Sequence, residues 1–173
     1  MFVLGVDPGL TRCGYGCVSS VRGEQHAIAA GVVTTDRDAP IPERLAELRR
    51  ELSSLIAELA PAAVVVERVL FQTNARTAMS VGQASGIALC CAAEAAIPVI
   101  EYSANEVKLA VAGYGAASKE QVQRMVAELL SLADPPRPAD AADALALALC
   151  HLATSRIAMR LNRGGLGALA GGR

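Results

Sequence analysis

The chain has 173 residues, 53% of them hydrophobic, with no Trp, two Phe, three Tyr and a formal net charge of −1. That fits one domain of ordinary size whose core must be built from Ala, Val, Leu and Ile. The opening MFVLGVDPG is too short and too soon acidic for a signal peptide, and the longest apolar stretches are broken by Asp, Glu or Pro, so a cytoplasmic protein without a membrane span is expected.

Phe2 to Val6 reads as a buried strand ending at Asp7, with Pro8-Gly9 as a turn signal. Cys13 to Val21 is a second strand, turning at Arg22-Gly23, and residues 25–35 form a third, which gives an antiparallel meander. Pro40 and Pro42 introduce a helix over about 43–59, with Leu45, Leu48, Leu52, Leu55, Ile56 and Leu59 at helical spacing. AAVVVE, residues 62–67, is an apolar strand ending in Glu67. Then follow a helix over 75–96 rich in small residues, a short strand over 98–102, helices over 103–112 and 118–130, and a last helix over 140–158. This order predicts an α/β domain over 1–158 with a mixed five-stranded sheet flanked by helices. The Gly-rich stretch 159–173 has the composition of a flexible tail.

The five cysteines, Cys13, Cys17, Cys90, Cys91 and Cys150, are odd in number and lack metal-type clustering. His26 and His151 each lack a second histidine at ligand spacing. A zinc site or a disulfide framework is not expected; Cys13 and Cys17 share one strand face, where packing explains them.

The segment DAADALALALCHLA carries the chemistry. Asp140 and Asp143 are its only acids and stand three residues apart on an apolar helix, a spacing that shares one face. Asp140 alone also suits an N-cap or first-turn role beside the helix dipole. Asp143 lies between Ala142 and Ala144 ahead of Leu145, Leu147 and Leu149, and aspartate is rarely buried there without a partner.

Asp7 and Glu67 end two strands that topology could place side by side, with their carboxyl ends where open α/β sheets hold ligands. Each alone is a weak signal, since strand-end acids often begin turns. Four converging acids, with no cationic side chain expected among them, call for two divalent cations. Oxygen ligands of this kind suit Mg²⁺ or Mn²⁺, and paired cations suit phosphodiester hydrolysis. The net charge is less unfavourable to nucleic acid than it looks: with four acids committed to metal, the remainder is net positive. The two lysines of the chain, Lys108 and Lys119, both precede the acidic helix.

GVDPGLTRCGYG, VVVERVLFQTNARTAMSVGQASG, ANEVKLAVAGYGAASKEQVQ and ADAADALALALCH together resemble, in order over residues 1–158, the RuvC family of bacterial Holliday junction resolvases. The resemblance implies a ribonuclease H-like fold, a homodimer and Mg²⁺ dependence, with two ions per site and Mn²⁺ as a substitute. It also implies paired symmetric nicking of four-way DNA junctions in recombination and repair, alongside the RuvA and RuvB branch-migration proteins. Asp7, Glu67, Asp140 and Asp143 match the family's catalytic metal-binding acids, and Lys108 and Lys119 its DNA-contacting basic positions. One departure concerns the junction: the family's aromatic three residues after the Glu is replaced by Leu70, with the aromatic displaced to Phe71. Either could act on the bases.

Three other readings share some of these features. Asp7-Pro8-Gly9-Leu10-Thr11 also resembles the phosphate-binding hairpin of actin-like proteins, although that fold needs two such domains. A catalytically silent DNA-binding module has no need of four acids. A ribonuclease H-like nuclease acting on other nucleic acid fits the same acids. For a dimer, the helix over 75–96 is the expected interface, because Gly82, Ser85, Gly86 and the run from Ala88 to Ala93 permit close approach; the same small residues would equally let that helix lie close on its own sheet.

Overall fold

The computed structural model describes residues 1–68 and 75–169, with side chains as far as residue 156 and residue 76 excepted. In chain order the elements are β1 (Phe2–Asp7), β2 (Arg12–Val21), β3 (Glu24–Thr34), α1 (Ile41–Leu59), β4 (Ala63–Glu67), α2 (Ala75–Glu94), β5 (Val99–Tyr102), α3 (Ala104–Ala112), α4 (Lys119–Leu129) and α5 (Ala139–Leu169). They make one mixed five-stranded sheet in the order β3-β2-β1-β4-β5. The first three strands form the expected antiparallel meander, and β1, β4 and β5 run parallel.

Period-two alternation divides the sheet between two helical layers. Leu4, Val6, Val64 and Val66 point one way, with Cys13 and Cys17, into a core shared with Leu48, Leu52 and Ile56 of α1 and Ala84 and Ala88 of α2. Val3, Val18 and Val65 point the other way, against Leu145 and Leu149 of α5 and Val107, Val122 and Val126 of α3 and α4. The same alternation turns Asp7 and Glu67 toward the α5 side. All five cysteines are free thiols.

Local chemistry sets the helix ends. Pro42 stands in the first turn of α1, and Ala60 closes it in the left-handed region ahead of Pro61. Ser103 with Glu106, and Ser118 with Gln121, form capping boxes that start α3 and α4. α5 runs past residue 158, where the sequence pattern was expected to end it, since no proline follows to stop it.

α5 lies directly on β1 and β2. A Cβ at Gly5 would stand 1.9 Å from the Ala144 carbonyl oxygen, and one at Gly14 would stand 2.1 Å from that of Asp140. Only glycine allows a helix backbone this close to the strands, and that approach carries the acidic turns of α5 to the strand ends.

On the opposite layer α2 divides its small residues. Ala84, Ser85, Ala88 and Ala92 are buried within the chain, whereas nothing lies within 4 Å of a Cβ built at Gly82 or Gly86. Among the described residues no helix is long and apolar enough to cross a membrane.

Candidate carboxylate site at the strand ends

Asp7 and Glu67 are the last residues of β1 and β4, whose parallel register pairs Val6 with Val66 immediately before them. Their carboxyl groups lie close enough for each to act on the other's ionisation. Asp143, one turn into α5, faces them from above, and the three acids line one cavity of about 370 Å³ with Lys108, Lys119 and a floor that includes Val107 and Leu147. Both sequence-predicted lysines therefore stand in the same cavity as three of the four predicted acids.

Lys119 is the first residue of α4, a position where the helix dipole disfavours a cation. Its Nζ meets Asp143 Oδ2 at 2.6 Å. That pair offsets the dipole and raises the lysine's pKa, chiefly through the hydrogen bond.

Asp140 does not line this cavity. Its Oδ2 accepts a hydrogen bond from Arg12 Nε at 2.9 Å and stands 2.8 Å from the charged Nη2. The expectation of four acids with no cation among them is thus corrected: two of the acids are paired to protein cations, one on β2 and one on α4. Charge explains the correction. Four carboxylates within range of one another repel, and the nearest cations close on whichever acids they reach. Among the described residues, no three acids, histidines or cysteines are already gathered at metal-ligating spacing.

Asp7 registers the crowding most strongly. Burial, then the charges of Glu67, Asp143 and Asp140, push its carboxyl up to about 7, with Lys119 pulling the other way. Glu67 is also raised, by burial and by the charge of Asp143, with Lys119 pulling the other way. Two buried carboxyl groups that each act on the other titrate as a coupled pair. Such a site has unmet demand for positive charge, and its donors are all hard oxygens, the set that Mg²⁺ or Mn²⁺ takes. Asp7, Glu67 and Asp143 line one cavity and would have to draw closer to hold one such ion, while Asp140 is held by Arg12.

Two contributors went unnoticed in the sequence. Arg12 stands one residue before the strand expected from Cys13, with no local pattern to mark it. Arg44 is buried on α1, donating from Nε to Thr35 Oγ1 at 2.9 Å and from Nη2 to Thr11 Oγ1 at 2.8 Å, while Thr35 Oγ1 donates to the Leu10 carbonyl at 2.6 Å. This network braces the turn between Asp7 and Arg12. A signal existed: Arg44 falls in register with Leu48, Leu52 and Ile56 on the buried face. Leu70 and Phe71 lie outside the described residues.

The family described as "Crossover junction endodeoxyribonuclease RuvC" matches residues 3–151. A protein of that name from Salinispora arenicola is 53% identical over 173 residues, 95% of this chain and 99% of that one. Another, from Syntrophomonas wolfei, is 48% identical over 157 residues, 91% of each chain. The solved structure of T. thermophilus RuvC in complex with Holliday junction substrate superposes with a TM-score of 0.87 at 38% identity, covering 91% of this chain and 96% of that one.

Proposed function

Because the chain belongs to the RuvC family of crossover junction endodeoxyribonucleases, whose fold is ribonuclease H-like, we propose that it resolves four-way DNA junctions by hydrolysing phosphodiester bonds at the carboxylate site. The observation that carries this reading is the meeting of Asp7, Glu67 and Asp143 with Lys108 and Lys119 in one cavity. Carboxylates alone repel a phosphate and lysines alone would only bind it; together they suit a site that binds DNA and cuts it.

The family is one of metal-dependent nucleases. For this chain we assign Mg²⁺, two ions per site, with Mn²⁺ as a substitute, held by Asp7, Glu67, Asp140 and Asp143. Bound there, the ions supply an activated water and a charge that stabilises the leaving oxygen. The chain's own groups do the rest. Asp7 and Glu67 would hold the metal as ionised carboxylates. Asp143 faces both from α5, and Lys108 and Lys119 draw the strand's phosphates toward the acids. Leu70 or Phe71, three and four residues beyond Glu67, is proposed to act on the bases at the crossover.

A four-way junction presents two equivalent strands, and one chain holds one site, so symmetric nicking needs a two-fold homodimer. The open face of α2 at Gly82 and Gly86 supports that helix as the interface. The RuvA and RuvB branch-migration proteins are proposed as further partners, and the cytoplasm as the location.

The test is incubation with Mg²⁺ and either a synthetic immobile four-way junction or a linear duplex of the same arms, with products sized on a denaturing gel. Paired nicks in the junction and an intact duplex are expected. Equal cutting of both would assign a general nuclease, and no cutting of either would overturn the reading.

A further inference from the structure

Arg12 is bound to Asp140 through two of its nitrogens, Nε and Nη2, both on Oδ2 at 2.8–2.9 Å. The two side chains are 44% and 29% exposed, so this is a half-sheltered, two-point contact rather than a loose surface pair. Its base is anchored. Arg12 opens β2 in register with Thr34, Thr35 N donates to the Thr11 carbonyl at 3.2 Å, and buried Arg44 holds the Thr11 side chain. The other end is anchored as well, because Gly14 lets the Asp140 backbone sit directly against β2. Two guanidinium nitrogens converging on Oδ2 compete for the carboxylate oxygen that a divalent cation would take.

We propose that Arg12 is a positioning residue that latches Asp140 away from the other three acids, so that a divalent cation gains its last carboxylate ligand only by displacing the guanidinium. This rests on the assignment of the four acids to metal. The consequence is a site that binds divalent cations more weakly than its four acids would bind them alone. Arg12 therefore sets metal affinity without touching metal or substrate. Lys119 makes the matching contact to Asp143, but it already lines the cavity; Arg12 is outside it and acts through Asp140 alone.

The experiment is a Mn²⁺ titration of the full chain without DNA, followed by calorimetry or electron paramagnetic resonance. Arg12→Gln is expected to tighten Mn²⁺ about two- to five-fold, the upper range of an ion pair of this exposure. In an Asp140→Asn background the same change is expected to alter affinity by less than about two-fold, since the coupled partner is gone. Arg12→Lys, which keeps the charge but loses the two-point grip, is expected to fall between and serves if the glutamine variant does not fold.

If wild-type protein binds no Mn²⁺, or Asp7→Asn does not weaken binding, the metal assignment itself fails and the latch with it. If wild type binds and Asp7→Asn weakens it, but the Arg12 variants bind as wild type does, only the latch is overturned. Equal tightening by Arg12→Gln in both backgrounds would mean a general field effect and would also overturn it.

Discussion

Asp7 and Glu67 stand side by side at the carboxyl ends of two neighbouring parallel strands, and burial beside the other acids raises the pKa of both. This crowding makes the strand ends a place that needs positive charge. The Coulomb repulsion that would otherwise destabilise the pair becomes affinity for a cation, and several measurable consequences rest on it.

The Asp7 carboxyl stands near 7 in the folded protein against an ordinary value of 3.8. The folded state therefore binds this proton more tightly than the unfolded chain, and stability falls as pH rises from about 4 toward about 7. Asp7→Asn removes that loss. In EDTA at pH 8 the variant is expected to be more stable than wild type by roughly 1–4 kcal/mol, the upper figure being the full shift. The difference should vanish near pH 4. Urea denaturation at the two pH values measures it, and an unchanged difference would remove Asp7 as the crowded acid.

Asp7→Asn, Glu67→Gln, Asp140→Asn and Asp143→Asn are each expected to lower single-turnover nicking of a four-way junction by at least about 100-fold, on the scale of losing one group that stabilises developing charge. Junction binding in Ca²⁺ should stay within a few-fold of wild type or improve, because each substitution removes a charge that repels phosphate. Cleavage near the wild-type rate in any one variant takes that residue out of the site.

Lys119→Ala and Lys108→Ala should weaken junction binding, and each should lower the slope of log affinity against log salt by about 1, the share of a single phosphate contact. Lys119→Ala is expected to have the larger effect, since it also leaves Asp143 unpaired in the cavity. Identical salt slopes in wild type and both variants would make the two lysines ordinary solvated charges.

Gly5→Ala puts a methyl group 1.9 Å from the Ala144 carbonyl oxygen, backbone that cannot swing aside. Either α5 lifts or β1 bends, at a cost of roughly 1–3 kcal/mol. Because Asp143 rides on α5 next to the clash, nicking per folded molecule should fall as well. A variant with normal thermal stability would show that the helix does not sit this close to the strand.

Gly86→Glu meets open space in the single chain and should leave its fold intact. If α2 forms the interface between two copies, the variant is expected to sediment as a monomer at micromolar concentration where wild type sediments as a dimer. A dimer undisturbed by the charge would move the interface elsewhere, and a wild-type monomer would remove the dimer.

The amino-acid pattern alone determined the elements and their layering. The continuous apolar runs VLGV and AVVV, each closed by an acid, and the leucine spacing of α1 are local signals, each written in a handful of neighbouring residues. The four acids were legible for the same reason: each is a charge abutting an apolar run, a conflict visible without the fold. Only the tertiary structure decided how those acids are satisfied. That Arg12 reaches Asp140 across 128 positions, that Lys119 reaches Asp143, and that Asp7 is left crowded by the other acids depend on the approach of α5 to the sheet. The strand glycines permit that approach by what they lack. Pairing between charges distant in sequence is fixed by distance and burial in space, and neither is a property of any local stretch of chain.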